Sequence, residues 1–179
     1  MKVAAGSEAL MKIRTALDQP IGSLDQNEQR FVAQIRQHGW FDTHVFEDSE
    51  GPGFSYSTGM WITAEHPELI VFGLKRDVAH DVLWGLYNIA RSGSQLQPGA
   101  RTDKAFARLP AFVFPVAKRR YKEFMGWSRF FYHGNDFPCF QIVWPDRQGN
   151  FPWEDGFEPA FKDRQPDLTE FGWRTSLNP

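Results

Sequence analysis

An α+β domain built on a mostly antiparallel, twisted sheet is predicted by three observations. Strand-like runs follow one another without the regularly interposed helices that a doubly wound parallel fold needs. Residues 54–74 hold two such runs in succession: Phe54, Tyr56, Thr58 and Met60 alternate with Ser55, Ser57, Gly59 and Trp61, and residues 69–74 are nearly unbroken apolar sequence. The first pattern suits a strand with one face on a core, and the second a strand covered on both faces, so a central hairpin is the simplest reading. Helices through Val78 and Tyr121 are available to cover a sheet made from the Trp40, Phe54, Leu69, Ala111 and Pro138 segments, with N-terminal helices flanking it.

In chain order, Ala9, Leu10, Ile13, Ala16 and Leu17 recur at helical spacing after Ser7 and stop before Pro20, which predicts a short amphipathic helix. A second opens at Asp25. Glu28 completes a capping-box spacing, Phe31, Val32 and Ile35 form the stripe, and Gly39 suits the position just beyond the end. His38 falls in the last turn, where positive charge complements the helix dipole, so it reads as structural. Residues 40–46 form the first strand and lead into the acidic turn 47–53, which lacks the spaced ligand ladder of a calcium loop.

The connection inside the central hairpin, residues 62–68, is longer than a two-residue turn and has room to present side chains. His66 and Glu68 flank Pro67, which fixes its own φ and biases His66 towards extended backbone, holding two polar groups at a defined separation. This is the first candidate site. Val78, Val82, Leu83, Leu86, Ile89 and Ala90 then define the clearest helix, with His80 read as exposed. Residues 92–101 read as a loop and 111–116 as a strand interrupted at Pro115, which favours a sheet edge.

The basic run at 118–122 opens a third helix carrying Tyr121, Phe124, Phe131 and Tyr132 on overlapping faces, ended by His133, Gly134, Asn135 and Asp136. Residues 138–144 form the last strand, alternating Cys139, Gln141 and Val143 with Phe140, Ile142 and Trp144. The proline-framed segment 144–153 is a tight turn between tryptophans, with Asp146 and Gly149 suited to the first and fourth positions of a β-turn. From Ala160 onward the chain reads as a tail, draped on the domain or partly disordered. The expected organisation is an N-terminal helical extension over 1–22, one domain over 23–160 and a C-terminal tail over 161–179.

The 20 Lys+Arg against 22 Asp+Glu leave a net charge of −2, too little field to recruit nucleic acid or an anionic membrane surface. No apolar run approaches the ~18 residues of a membrane span, and no apolar signal-peptide core follows Met1. Cys139 is the single cysteine, so no intramolecular disulfide forms, in keeping with a reducing compartment. The expectation is a soluble cytoplasmic protein. Aromatic content of 16%, with 17 Phe and 7 Trp, is the unusual number. A thick core is its default explanation, and a pocket for something flat or apolar the alternative.

Several separated motifs carry a resemblance: Gly39-Trp40 before a strand; Phe54, Tyr56 and Gly59; the run from His66 through Leu74; Asp136-Phe137-Pro138; and Trp144-Pro145-Asp146 with Gly149, Phe151, Pro152 and Trp153. Matched in order over roughly residues 34–159, these resemble a bacterial family of unknown function, DUF4262. The resemblance implies no activity.

No phosphate-binding glycine loop, nucleophile elbow or His-Glu-x-x-His helix is present, and the 5 histidines are scattered over different elements. No metal ligand set is identified and the cofactor is unknown. Cys139 reads as a small packed hydrophobe, although a neighbouring His133 or His66 would be needed to make it a nucleophile. The leading expectation is a recognition module that binds a protein partner or small ligand through an aromatic-lined groove, in the manner of an immunity protein that covers a toxin surface. The alternatives are a hydrolase or transferase using His66, Glu68 and Asp146, and a flavin- or nucleotide-binding protein using basic residues at Arg119 and Arg120. The candidate ligand-binding residues are Tyr56, Trp61, His66, Glu68, Trp144, Asp146 and Trp153. Both stiffened loops, at His66 and at 144–153, are expected to converge at one end of the sheet, with bracing of the turns the plainer role for Glu68 and Asp146.

Overall fold

The structure is a computed structural model that describes residues 13–178. Most of the helix expected around Ala9 therefore lies outside the described residues. Its described end is a 3-10 turn, Ala16–Asp18, closed by reciprocal bonds between Thr15 and Asp18. Helix α1 (Gln26–His38) begins as the sequence dictates: Asp25 accepts from the amides of Asn27 and Glu28, and Glu28 accepts in return from Asp25. It ends at Gly39, whose φ of 84° is left-handed and where a Cβ would lie 2.2 Å from the Tyr87 hydroxyl. Both conditions require glycine.

Strands β1 (Phe41–Val45), β2 (Phe54–Thr58), β3 (Glu68–Phe72), β4 (Arg101–Thr102), β5 (Ala111–Pro115) and β6 (Cys139–Val143) form one sheet in the order β1-β2-β3-β6-β5-β4. Every pairing is antiparallel except β3 with β6, where Glu68 stands beside Cys139 and Val71 beside Ile142. The α+β fold and the largely antiparallel sheet are thus as expected. The hairpin of β2 and β3 is present, but its connection folds into one helical turn, α2 (Met60–Thr63).

The faces of the sheet are covered by different helices. Ile70 and Phe72 of β3 join Tyr56 in a core with Phe31, Val32 and Ile35 of α1 and with Tyr121 and Phe131. Leu69 and Val71, on the other face by strand alternation, pack with Val82, Leu83 and Leu86 of α3 (Arg76–Arg91). This explains the unbroken apolar run, since β3 is buried on both sides.

The third predicted helix is broken. A 3-10 turn, Lys118–Arg120, precedes α4 (Tyr121–Phe124) and α5 (Gly126–Phe131), with Met125 between them at φ −116° and ψ 41°. The break re-aims the second half, so that Tyr121, Met125, Phe131 and Tyr132 are all buried, which one straight helix with those spacings would not achieve against a single sheet face. Pro115, at the end of β5, pairs only towards β6, because β4 extends no further than Ala111 and Phe112. Its missing N–H is therefore tolerated.

The C-terminal segment is docked on the sheet. Gln141 donates to the Pro166 carbonyl at 2.7 Å and accepts from the Leu168 amide at 3.2 Å, Gln165 bonds both the amide and carbonyl of Trp144, and Leu168 is fully buried. The last helical turn, α6 (Trp173–Ser176), follows, and the amide of Asn178 donates to the Gly99 carbonyl.

Candidate functional site

Glu68 opens β3 on the face shared with Ile70 and Phe72, so strand alternation drives its carboxylate into the core beneath α5. It is fully buried and has no cationic partner among the described residues. Four donors surround it. The Ser57 hydroxyl donates to Oε2 at 2.5 Å; Oε1 accepts from the amides of Gly59 at 2.8 Å and Trp61 at 3.2 Å and from the Tyr132 hydroxyl. Ser57 also accepts from the Leu69 amide at 2.9 Å. Burial nevertheless pushes the Glu68 carboxyl above the usual carboxylate range, against the pull of these donors. The Tyr132 phenol is raised too, by burial and by the neighbouring carboxylate. The assembly ties β2, α2, β3 and the end of α5 together.

His66 is also turned inward, with 1% of its surface exposed. Its Nδ1 lies 2.7 Å from the Pro67 carbonyl, to which it donates, and its ring meets Phe140 edge-on at 6.1 Å. Burial lowers its pKa below the ordinary histidine value, opposed by that hydrogen bond. Such a group holds the entry to β3 and offers no face to solvent.

The turn after β6 is built around Asp146. Its carboxylate accepts from the amides of Gln148, Asn150 and Glu158, each at 2.9 Å, and from the Asn150 side chain. Gly149 donates to the Asp146 carbonyl at 3.1 Å, the β-turn expected from the sequence, and Gly149 has φ 91°. Desolvation pushes the Asp146 pKa up, but the amides of Asn150 and Glu158, the Asn150 side chain and the Gln148 amide outweigh it and hold the carboxyl below its usual range. Trp144 donates from its indole to the Phe72 carbonyl at 2.8 Å. Trp153 stacks on Phe151 and meets Phe112 and Phe114 edge-on.

These placements correct the expected convergence. Because β3 and β6 run parallel, His66 precedes the first residue of β3 whereas Trp144 follows the last residue of β6, bonded to the last residue of β3. The His66 loop and the 144–153 turn lie at opposite ends of the sheet, and His66, Glu68 and Asp146 do not form one constellation. Tyr56 is buried, with its hydroxyl accepting from the Trp127 amide, and Trp61 is half-buried against the α1 face core. Cys139 is buried, and burial raises its thiol well above the ordinary value, with the Glu68 charge acting in the same direction. Arg119 pairs with Glu170 at 2.5 Å and Arg120 with Glu123 at 3.3 Å, so both basic residues are already engaged. Among the described residues, no three His, Cys, Asp or Glu side chains are grouped to hold a metal ion, and no helix is long and apolar enough to cross a membrane.

A concavity that the sequence did not single out runs along the outer edge of β1. It has a volume of about 380 Å³. Phe31, Phe41, Phe46 and Trp127 form its aromatic walls, with Phe31 stacked on Trp127 at 4.6 Å and Phe46 70% exposed. Arg30 from α1 and Arg76 from the start of α3 flank it, and neither has an ion pair or side-chain hydrogen bond among the described residues. Asp42, by contrast, is paired with His80 at 3.0 Å, which ties α3 to β1 and gives His80 a contact that periodicity alone did not suggest. His44 contacts Ser55 at 2.7 Å, and its pKa is lowered by burial and by Arg76, against the pull of Asp42. The available signal was the polar sequence Asp42-Thr43-His44 in a strand between aromatic residues, the mark of an edge.

Fold and site together define an α+β domain whose mixed sheet is braced internally by buried acids and opens to solvent along one edge strand. Residues 34–158 match the family described as Domain of unknown function (DUF4262), and the chain belongs to that family. Neither the curated proteins nor the solved structures contain a match to the chain.

Proposed function

We propose that this protein is a cytoplasmic recognition module that takes a partner in the aromatic-lined groove at the edge of β1. The observation that carries the reading is the contrast in polar groups. The residues that acid-base chemistry would use are turned inward: Glu68 and Asp146 each accept four internal hydrogen bonds, and His66 is buried with its Nδ1 bonded to the Pro67 carbonyl. Arg30 and Arg76, beside four aromatic rings, have no ion pair among the described residues. An aromatic cluster with one ring, Phe46, largely exposed beside such guanidinium groups is the composition of an interface centre. The balanced charge of the chain supports a protein or small ligand over nucleic acid.

The test compares affinity capture by the wild-type chain and by a Phe46→Ser, Arg30→Glu variant, both followed by mass spectrometry. A species enriched by the wild type and depleted at least tenfold by the variant is the expected result. Equal recovery by both proteins, with the variant's thermal midpoint unchanged, would remove the groove from the binding surface.

A further inference from the structure

We infer that the groove takes an extended, acidic segment of a partner protein, which adds to the sheet as a seventh strand along β1. The inference rests on the groove being the binding site and specifies how and what it binds.

The two edges of the sheet are treated differently. At one, β4 is only Arg101–Thr102, and the neighbouring Gly99 is engaged by Asn178 and bonded to Val113. That edge is short and partly covered. At the other, β1 pairs with β2 in unbroken register from Phe41 opposite Thr58 to Val45 opposite Phe54, and among the described residues no strand lies on its outer side. It contains no proline, lysine or bulge, the usual means of blunting an edge, and its one acid is engaged by His80. Alternate amides and carbonyls along β1 therefore face outward as a template for another strand.

The flanking residues state the chemistry of that strand. Side chains of an added strand alternate between the two faces of the sheet. On the α1 face they meet Phe31, Trp127 and Arg30; on the α3 face they meet Arg76. Asp42 is held by His80, and Arg30 and Arg76 outnumber it in the groove, so the lining carries an excess of positive charge on its two sides. A segment with carboxylates on both of its faces and an aromatic or aliphatic residue against Phe31 complements it, whereas a basic segment meets like charge. Phe46, at the end of β1, remains free for a further apolar contact.

The probe is a displayed library of random 12-residue peptides, selected against the full chain, with the enriched peptides then made synthetically. Acidic peptides should be enriched, should slow amide exchange across residues 41–45, and should lose at least tenfold in affinity to an Arg30→Glu, Arg76→Glu variant. N-methylation of one alternate set of peptide amides should abolish binding, while methylation of the other set should leave it within about twofold. Enriched peptides that depend on Phe46 but tolerate both methylated sets, or that carry no acids, would overturn strand addition while leaving the groove as the binding surface. Peptides indifferent to every groove substitution would overturn both readings, and failure to enrich any peptide would overturn strand addition alone. A self-associated dimer protected at residues 41–45 in the absence of peptide would replace the partner segment with a second copy of the chain.

Discussion

Two buried carboxylates stand at opposite ends of the sheet, each accepting four hydrogen bonds, and their pKa values move in opposite directions. Glu68 lies between β3 and α5, where two of its donors are hydroxyls and two are amides. Its pKa is raised, because burial outweighs them. Asp146 lies within its own turn, where three of its donors are backbone amides, two from that turn and one from Glu158 further along the chain. Its pKa is lowered, because the donors outweigh desolvation. The number of hydrogen bonds is thus a poor guide to the charge state of a buried acid. The surroundings decide between them: three backbone amides converge on Asp146, while Glu68, on a strand between two helical layers, has two.

The largest effect should come from Glu68. Glu68→Ala leaves two hydroxyls and two amides facing a cavity, and a loss of about 4 kcal/mol in urea unfolding is expected. Glu68→Gln keeps the shape. Its carbonyl can occupy the place of Oε1, which accepts from Gly59, Trp61 and Tyr132, and its amide can face a rotated Ser57 hydroxyl. A cost of only about 1 kcal/mol is then expected. Equal costs for the two substitutions would show that the acid network contributes no specific bracing.

His66 should come next. Removal of a buried ring that packs on Phe140 and bonds Pro67 is expected to cost about 2 kcal/mol in His66→Ala, with binding in the β1 groove unchanged. The measurement pairs urea unfolding with the capture experiment. A variant that keeps its unfolding midpoint but loses its partner would return His66 to the binding surface and undo the assignment of this end of the sheet to structure.

Much of the fold was legible because it depends on local periodicity. The capping box at Asp25, the stripe of α3 and the alternation of β2 each encode their element within a few residues. The sequence position of Glu68 was equally plain, but its inward direction was not, since a carboxylate after proline in a connection resembles a solvated loop residue. Only the start of β3 at Glu68 itself, one residue earlier than the apolar run suggests, turns it into the core. The parallel pairing of β3 with β6 joins strands about seventy residues apart, and no local pattern specifies it. That pairing is what separates the His66 loop from the 144–153 turn. The β1 groove was hidden for a related reason: Phe31 reads as one member of the apolar stripe of α1, and the edge position of β1 follows from strand order alone.

The opposed pKa directions give the finest test of the comparison. For Glu68, the folded protein binds a proton more readily than the unfolded chain, so the group favours folding least when it is ionised. Its contribution to stability falls as pH rises from the unfolded value of about 4.5 through the raised folded value. For Asp146 the sign is reversed: its stabilisation is present above an unfolded value of about 3.8 and is lost as pH falls through the depressed folded value. His66 has the same sign as Asp146, its contribution being lost as pH falls below 6.5 through the depressed folded value. It overlaps the Glu68 limb and partly masks it in the wild type. Urea midpoints should therefore be compared as differences across pH 3 to 8, wild type against Glu68→Gln and wild type against Asp146→Asn. The first difference should favour the wild type most at low pH and shrink or reverse above about pH 4.5; the second should favour it at neutral pH and vanish in acid. Two difference curves of the same sign would mean that both carboxylates are governed by the same balance of burial and hydrogen bonding, and that the contrast between the two ends of the sheet does not hold.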